Sequence, residues 1–133
     1  VKEAGENGNE RAYRVTNTTG SDSRIDYVAY NAYHPYIAAD GSQVSNLTSF
    51  NNLYGGLENR TAVRVKNGDM ASALNGTIEA SSSDTGWPPT NTSRLQELYI
   101  GSYQNSGHLN GHIREFIYYP TGLTNAQLQQ LTS

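Results

Sequence analysis

No cysteine occurs in the 133-residue chain, so neither disulfides nor thiolate metal sites hold the fold together, and no thiol is on hand for nucleophilic chemistry. Charge is also scarce. Asp, Glu, Lys and Arg make up 16% of the residues and leave a net charge of −3, which argues against nucleic acid as a partner, since that needs a basic face. Hydrophobic residues reach only 35%, with a single Met and a single Trp, so the core must be thin. No run is long and apolar enough to form a membrane-spanning helix, and the first residues do not read as a secretory signal. A G-x-S-x-G nucleophile elbow is missing. So is any E-x-D or E-x-D-x-x-E run, which would set two carboxylates on one face of a strand as glycoside hydrolysis requires.

What the chain does contain is 10 Tyr and 13 Gly, with Thr, Val and Ile spread between Gly and Asn turns. That composition suits many short strands, with tyrosines supplying much of the buried area. Residues 1–10 are polar and without periodicity and read as a linker or frayed end. Residues 11–133 read as a single β-sandwich domain. RAYRVT (11–16) is a first strand. RIDYVAYNAY (24–33) carries apolar residues on both sides, as expected of a central strand or one whose outer face is covered. Asp40-Gly41, Asn67-Gly68 and Asn75-Gly76 each mark a hairpin turn. Ser81–Ser93 is the longest run without periodicity and is polar except for Trp87. Eight or nine strands with turn signals about every 8 to 12 residues give an antiparallel β-sandwich or jelly roll.

The C-terminal quarter is the most explicit part. His112–Tyr119 is dense in β-branched and aromatic residues and ends at Pro120, which reads as a last strand. After Gly122, Thr124 is an N-cap with Gln127 completing a capping box, and Leu123 and Leu128 form a hydrophobic staple. Leu128 and Leu131 then share an apolar face that must rest on other structure, the last strand being the expected seat.

This stretch resembles the end of the concanavalin A-like (laminin-G-like) sandwich found at the C-terminus of many phage and prophage tail-fibre proteins. The matching residues are Leu109, Asn110, Gly111, His112, Ile113, Arg114, Tyr118, Tyr119 and Pro120, followed by Leu123, Thr124, Ala126, Gln127, Leu128, Gln129 and Leu131. Asp69–Gly76 (DMASALNG) echoes a hairpin of the same family, whereas Thr121 and Gly122 stand where it usually has two basic residues. The resemblance implies a concanavalin A-like jelly roll with one short C-terminal α-helix. It also implies a non-catalytic virion module, the distal part of a tail fibre or tailspike, touching host cell-surface polysaccharide. Such fibres are usually homotrimers in contact with other virion subunits, and the chain, which opens on Val1, is then a piece of a longer protein.

Glycan binding needs an exposed ring for the sugar face and polar groups for its hydroxyls, with weak sites strengthened by valency. Three places qualify. One is Trp87 with Asp84 and Asn91. A second is the group Tyr33, His34 and Tyr36, and a third begins at Tyr103. Against each stands a plainer reading, in which Trp87 packs on its own loop and the tyrosines belong to the core. Glu97 and Glu115 are single acids in apolar surroundings and read as ion-paired with arginines such as Arg94 or Arg114. No cofactor is expected, with calcium left open but without assignable ligands. Calcium would need clustered Asp and Asn oxygens, and Asp22, Asp26, Asp40, Asp69 and Asp84 are scattered singly. The alternative to a glycan binder is a structural virion protein, a capsid decoration or trimerisation module that binds no sugar. A glycoside hydrolase is the remaining possibility.

Overall fold

Alternation of apolar and polar residues, cut at intervals by Asp-Gly and Asn-Gly pairs, builds strands rather than helices along most of the chain. The structure is a computed structural model, and it describes residues 11–17, 23–30, 32–47, 58–89, 95–102, 108–109 and 112–133; the side chains of 11, 28–30 and 32–34 lie outside that description. Its elements are β1 (Arg11–Thr16), β2 (Arg24–Tyr30), β3 (Ala32–Ala39), β4 (Ser42–Asn46), β5 (Thr61–Arg64), β6 (Met70–Leu74), β7 (Thr77–Ser82), β8 (Glu97–Ile100) and α1 (Asn125–Thr132). Two antiparallel sheets result. One has five strands in the order β4-β3-β2-β1-β8, the other three in the order β5-β6-β7. The protein is therefore all-β with one short C-terminal helix.

Two of the expected hairpins close in the same way. Asp40 (φ 51°) and Gly41 (φ 78°) join β3 to β4, and Asn75 (φ 45°) and Gly76 (φ 84°) join β6 to β7. Positive φ at both central residues is the two-residue hairpin geometry that matches the right-handed twist of strands, and Asp, Asn and Gly tolerate it. The third, Asn67-Gly68, sits in a longer connection, where Asp69 N donates to Lys66 O at 2.9 Å.

Between the sheets lie two apolar clusters. Tyr27 and Leu74 form one with Ala12, Tyr13 and Val63. Ile37, Leu47 and Met70 form the other, and Ile25, Val44, Val65, Ala80 and Trp87 pack on it. Strand β6 is buried along its whole length because it has neighbours on both faces. Met70 and Leu74 point to the five-stranded sheet, while Ala71 and Ala73 meet Leu128 of α1. Alanine at those two positions leaves room for the helix to approach. RIDYVAY is central, third of five, as its two-sided apolar pattern implied.

The helix begins as the sequence dictates. Thr124 Oγ1 accepts from Gln127 N while the Gln127 side chain accepts from Thr124 N, and Leu123 joins Leu128 in one cluster. Its seat is different from the expected one. It lies on β5, β6 and β7, not on a last strand. The buried pair is Leu128 and Thr132, whereas Leu131 is 43% exposed. Thr132 faces inward because its hydroxyl accepts from Gly76 N at 3.0 Å and donates to Leu128 O at 2.9 Å, so a polar contact with the β6–β7 turn sets the rotation of the helix. Arg64 secures the other end: its Nη1 donates to Leu123 O at 2.8 Å and to Asn125 Oδ1 at 2.9 Å, while Nη2 pairs with Asp69.

Three further expectations are corrected. His112–Tyr119 is not a strand, and all of its residues are exposed. Arg114 reaches Glu58 just before β5, Phe116 lies edge-on to Tyr13, and Gly122 lies against Arg64 at the end of β5. These contacts take the chain from the residues before β5, past β1, to the end of β5. Strand-like composition describes a side-chain preference, and a ladder also needs a partner strand in register. Second, RIDYVAYNAY is not one strand: β2 ends at Tyr30 and β3 begins at Ala32, with those two residues paired. His34 therefore belongs to a strand, β3. Third, Arg114 pairs with Glu58, and Glu97 accepts from the Tyr99 hydroxyl, while its expected partner Arg94 lies outside the described residues.

Candidate functional site

Strand register gives the five-stranded sheet two contrasting faces. On the inner face one cross-strand row reads Leu98, Val15, Ile25, Ile37, Ser45, and the next reads Ile100, Tyr13, Tyr27, Pro35. Residues one place along each strand point the other way. The corresponding outer rows are Tyr99, Arg14, Asp26, Tyr36, Asn46 and Glu97, Thr16, Arg24, Ala38, Gln43. Each crosses all five strands. Nine of these ten residues are polar or carry a hydroxylated ring.

At the centre Arg14 forms a two-pronged pair with Asp26, Nε to Oδ1 and Nη2 to Oδ2, with both side chains 4% exposed. A guanidinium fork matches a carboxylate in both geometry and charge. Arg24 adds a second cation, with Nε 3.2 Å from Asp26 Oδ2. Its guanidinium carbon lies 4.8 Å from the centre of the Tyr36 ring, a cation–π contact that holds ring and charge together. Across β1, the Tyr99 hydroxyl donates to Glu97 Oε2 at 2.9 Å. Arg14, Thr16, Asp26 and Ala38 form a buried floor, while Arg24, Tyr36, Glu97 and Tyr99 are half-buried and Gln43 and Asn46 are exposed. Two arginines against Asp26 and Glu97 leave the four charges balanced. The arrangement is a buried polar floor bordered by two half-buried rings and by exposed Gln43 and Asn46, with no excess of either sign.

Among the described residues, Asp26 and Glu97 are the carboxylates of these rows. They stand on strands either side of β1 and two residues apart along it, which sets them about 12 Å apart at roughly 4.8 Å per strand and 3.3 Å per residue. Each is occupied, Asp26 by arginines and Glu97 by a phenol. Among the described residues, no group of three or more His, Asp or Glu side chains is placed to hold a metal ion.

Of the residues singled out in the sequence, Tyr36 alone has its side chain shown on this face. The side chains of Tyr33 and His34 lie outside the described set, although both residues are in β3, opposite Ala29 and Val28. Asn91 and Tyr103 also lie outside the described residues. Trp87 is elsewhere: half-buried, it packs on the Ile37–Leu47–Met70 cluster between the sheets, and its backbone N donates to Asn67 Oδ1 at 3.2 Å. Asp84 is exposed near it, and hydrogen bonds, first from Ser82 and then from Ser45, hold its carboxyl below the usual carboxylate range. Sequence reasoning missed Arg14, Arg24, Asp26 and Tyr99 as a group. The signal was present as polar residues at every second place in RAYRVT, RIDY and ELYI, but only the register lines them up.

The comparisons with known proteins bear on the fold. No protein-family model matches the chain, and no curated protein matches it. Among solved structures it is similar to the crystal structure of an S-layer domain-containing protein (residues 221–444) from Clostridium thermocellum, with a TM-score of 0.53 and 16% identity, over 100% of this chain and 67% of that one. At that identity the likeness is one of fold, a β-rich architecture shared over the whole chain.

Proposed function

We propose that the chain is a non-catalytic carbohydrate-binding module, a concanavalin A-like jelly roll whose ligand lies across the outer rows of the five-stranded sheet. The observation that carries this reading is the pair of polar rows running from β8 to β4, with Tyr36 and Tyr99 as ring surfaces and Arg24, Glu97, Asn46 and Gln43 as hydrogen-bonding groups around them. A sugar face stacks on such rings, and its hydroxyls take bonds from such groups. Because the charges balance, neutral saccharides fit better than polyanions. The setting proposed is the virion, at the distal end of a tail fibre or tailspike, where several copies on one fibre turn weak sites into firm attachment to host polysaccharide.

A glycan array probed with the chain and with Tyr36→Ala, Arg24→Ala and Trp87→Ala tests this. Binding by the parent, lost about tenfold or more in Tyr36→Ala and Arg24→Ala with circular dichroism unchanged, is the expected result. Binding that depends on Trp87 and not on Tyr36 or Arg24 moves the site to the 84–87 loop, and no binding to any saccharide sinks the proposal.

A purely structural role in the virion is the second reading. It is favoured by one specific feature, the large apolar side chains left exposed on β8 and along 112–119.

A further inference from the structure

The Asn75-Gly76 turn between β6 and β7 does more than reverse the chain. An asparagine before a glycine is open to attack by the next backbone nitrogen on its own side-chain amide, since glycine has no Cβ in the way. Asn75 is exposed to water and Gly76 is half-buried. The amide to be attacked is already polarised. Arg60 N donates to Asn75 Oδ1 at 2.9 Å, and Asn75 Nδ2 donates to Asn59 Oδ1 at 3.2 Å. A donor on that oxygen stabilises the negative charge that builds up during attack. The attacking nitrogen, by contrast, is held back. Gly76 N donates to Thr132 Oγ1 at 3.0 Å, and that hydroxyl is itself fixed by donating to Leu128 O at 2.9 Å. A proton engaged in such a bond is harder to remove.

We infer that Asn75 is a deamidation site that α1 keeps closed through Thr132. When the helix lifts, hydroxide takes the Gly76 amide proton and the nitrogen attacks Asn75 Cγ. The bond from Cγ to Nδ2 breaks, the nitrogen leaves as ammonia with a proton from water, and a cyclic imide joins the two residues. Water then opens the imide at either carbonyl, to aspartate or to isoaspartate. The net exchange is one water taken up for one ammonia released, with no change of oxidation state. Both products carry a carboxylate and lack the Nδ2 donor to Asn59. Isoaspartate also adds a methylene to the turn backbone, which moves Gly76 N away from Thr132. Loss of the helix seat is thereby made permanent at the turn. Asn67-Gly68 provides an internal reference. Asn67 Oδ1 accepts from Gly86 N at 3.0 Å and Trp87 N at 3.2 Å, and Gly68 N donates to Asp84 O at 2.9 Å, so no residue of α1 guards it. The inference stands apart from saccharide binding and survives if that fails.

Incubation of the intact chain at mildly alkaline pH, followed by peptide mapping and mass spectrometry, reads conversion at each asparagine separately. Thr132→Val removes the hydroxyl at nearly constant volume. It should raise the ratio of Asn75 to Asn67 conversion about tenfold, the effect of one hydrogen bond. Thr132→Ser keeps the hydroxyl and should hold the parent's ratio. General unfolding speeds both sites, so the ratio isolates the contact with the helix. Hydrogen exchange of the parent gives a second measurement without substitution, in which the Gly76 amide should exchange in step with the amides of α1. A ratio unchanged in Thr132→Val, one raised equally in Thr132→Ser, or a Gly76 amide that exchanges freely while α1 is protected overturns the inference.

Discussion

Arg14 and Asp26 sit opposite one another on neighbouring strands, nearly without water, and Asp26 has Arg24 as a further partner. A buried ion pair is a weak source of stability, but stripping one member leaves the other charged and unsolvated. Arg14→Leu is therefore expected to destabilise the fold by about 3 kcal/mol, the lower end of the range for a broken buried pair, because Arg24 remains. Arg14→Leu combined with Asp26→Leu should recover most of that loss. Chemical denaturation of the three proteins checks this, and a double variant no better than the single one would contradict it. Trp87 illustrates a different point at the same scale. Its position among glycine and prolines is compatible with a ligand platform or a core plug, and its partners in the inter-sheet cluster account for the ring by packing.

Among the elements, the terminal helix is the one whose beginning is written in full and whose seating is not. Thr124, Gln127, Leu123 and Leu128 define its first turn, and each does what its type and spacing require. An eight-residue helix is marginal alone, so its persistence depends on the surface beneath. Leu128→Ala is expected to lower stability by about 2–5 kcal/mol, and Leu131→Ala to change it by less than about 0.5 kcal/mol. Thermal or urea unfolding distinguishes them, and equal losses would mean that the helix is rotated from the position described. The His112–Tyr119 segment is the converse case. Its composition is that of a strand, yet its contacts with Glu58 and Tyr13 hold it without a ladder.

For the molecule as a whole, stability at high pH is tied to Tyr13. It stacks on Tyr27 at 5.4 Å, with Phe116 edge-on, in the cluster that joins the sheets. Burial, and then the negative charge of Asp26, push its pKa well above the ordinary 10.0. The folded state therefore keeps this proton to higher pH than the unfolded state does. Its contribution is constant below the unfolded value and declines as pH rises past it. Urea midpoints should fall between about pH 9 and pH 11 in the parent and fall less in Tyr13→Phe. Identical curves would show that the phenol is freely solvated. On the acid side Glu58 and Asp84 are both held below the usual carboxylate range, Glu58 first by its hydrogen bond from Arg60 and then by Arg114. What they add is lost as pH falls through that range, and it is small because both face water.

The features legible in the chain alone are local ones. Turn dipeptides fix where the chain reverses, alternation sets the strand type, and cap and staple residues begin the helix, because each depends on neighbours a few residues away. Which strands lie side by side depends on contacts between distant parts of the chain. The rows of Arg14, Asp26, Tyr36 and Tyr99 appear only once β8 has returned to β1. The rotation of α1 depends on Gly76, 56 residues before Thr132. Whether His112–Tyr119 becomes a strand depends on whether a neighbouring strand offers it a ladder. These were decided by tertiary structure, for the physical reason that a side chain's type states what it can bond to, while register and packing determine what it meets.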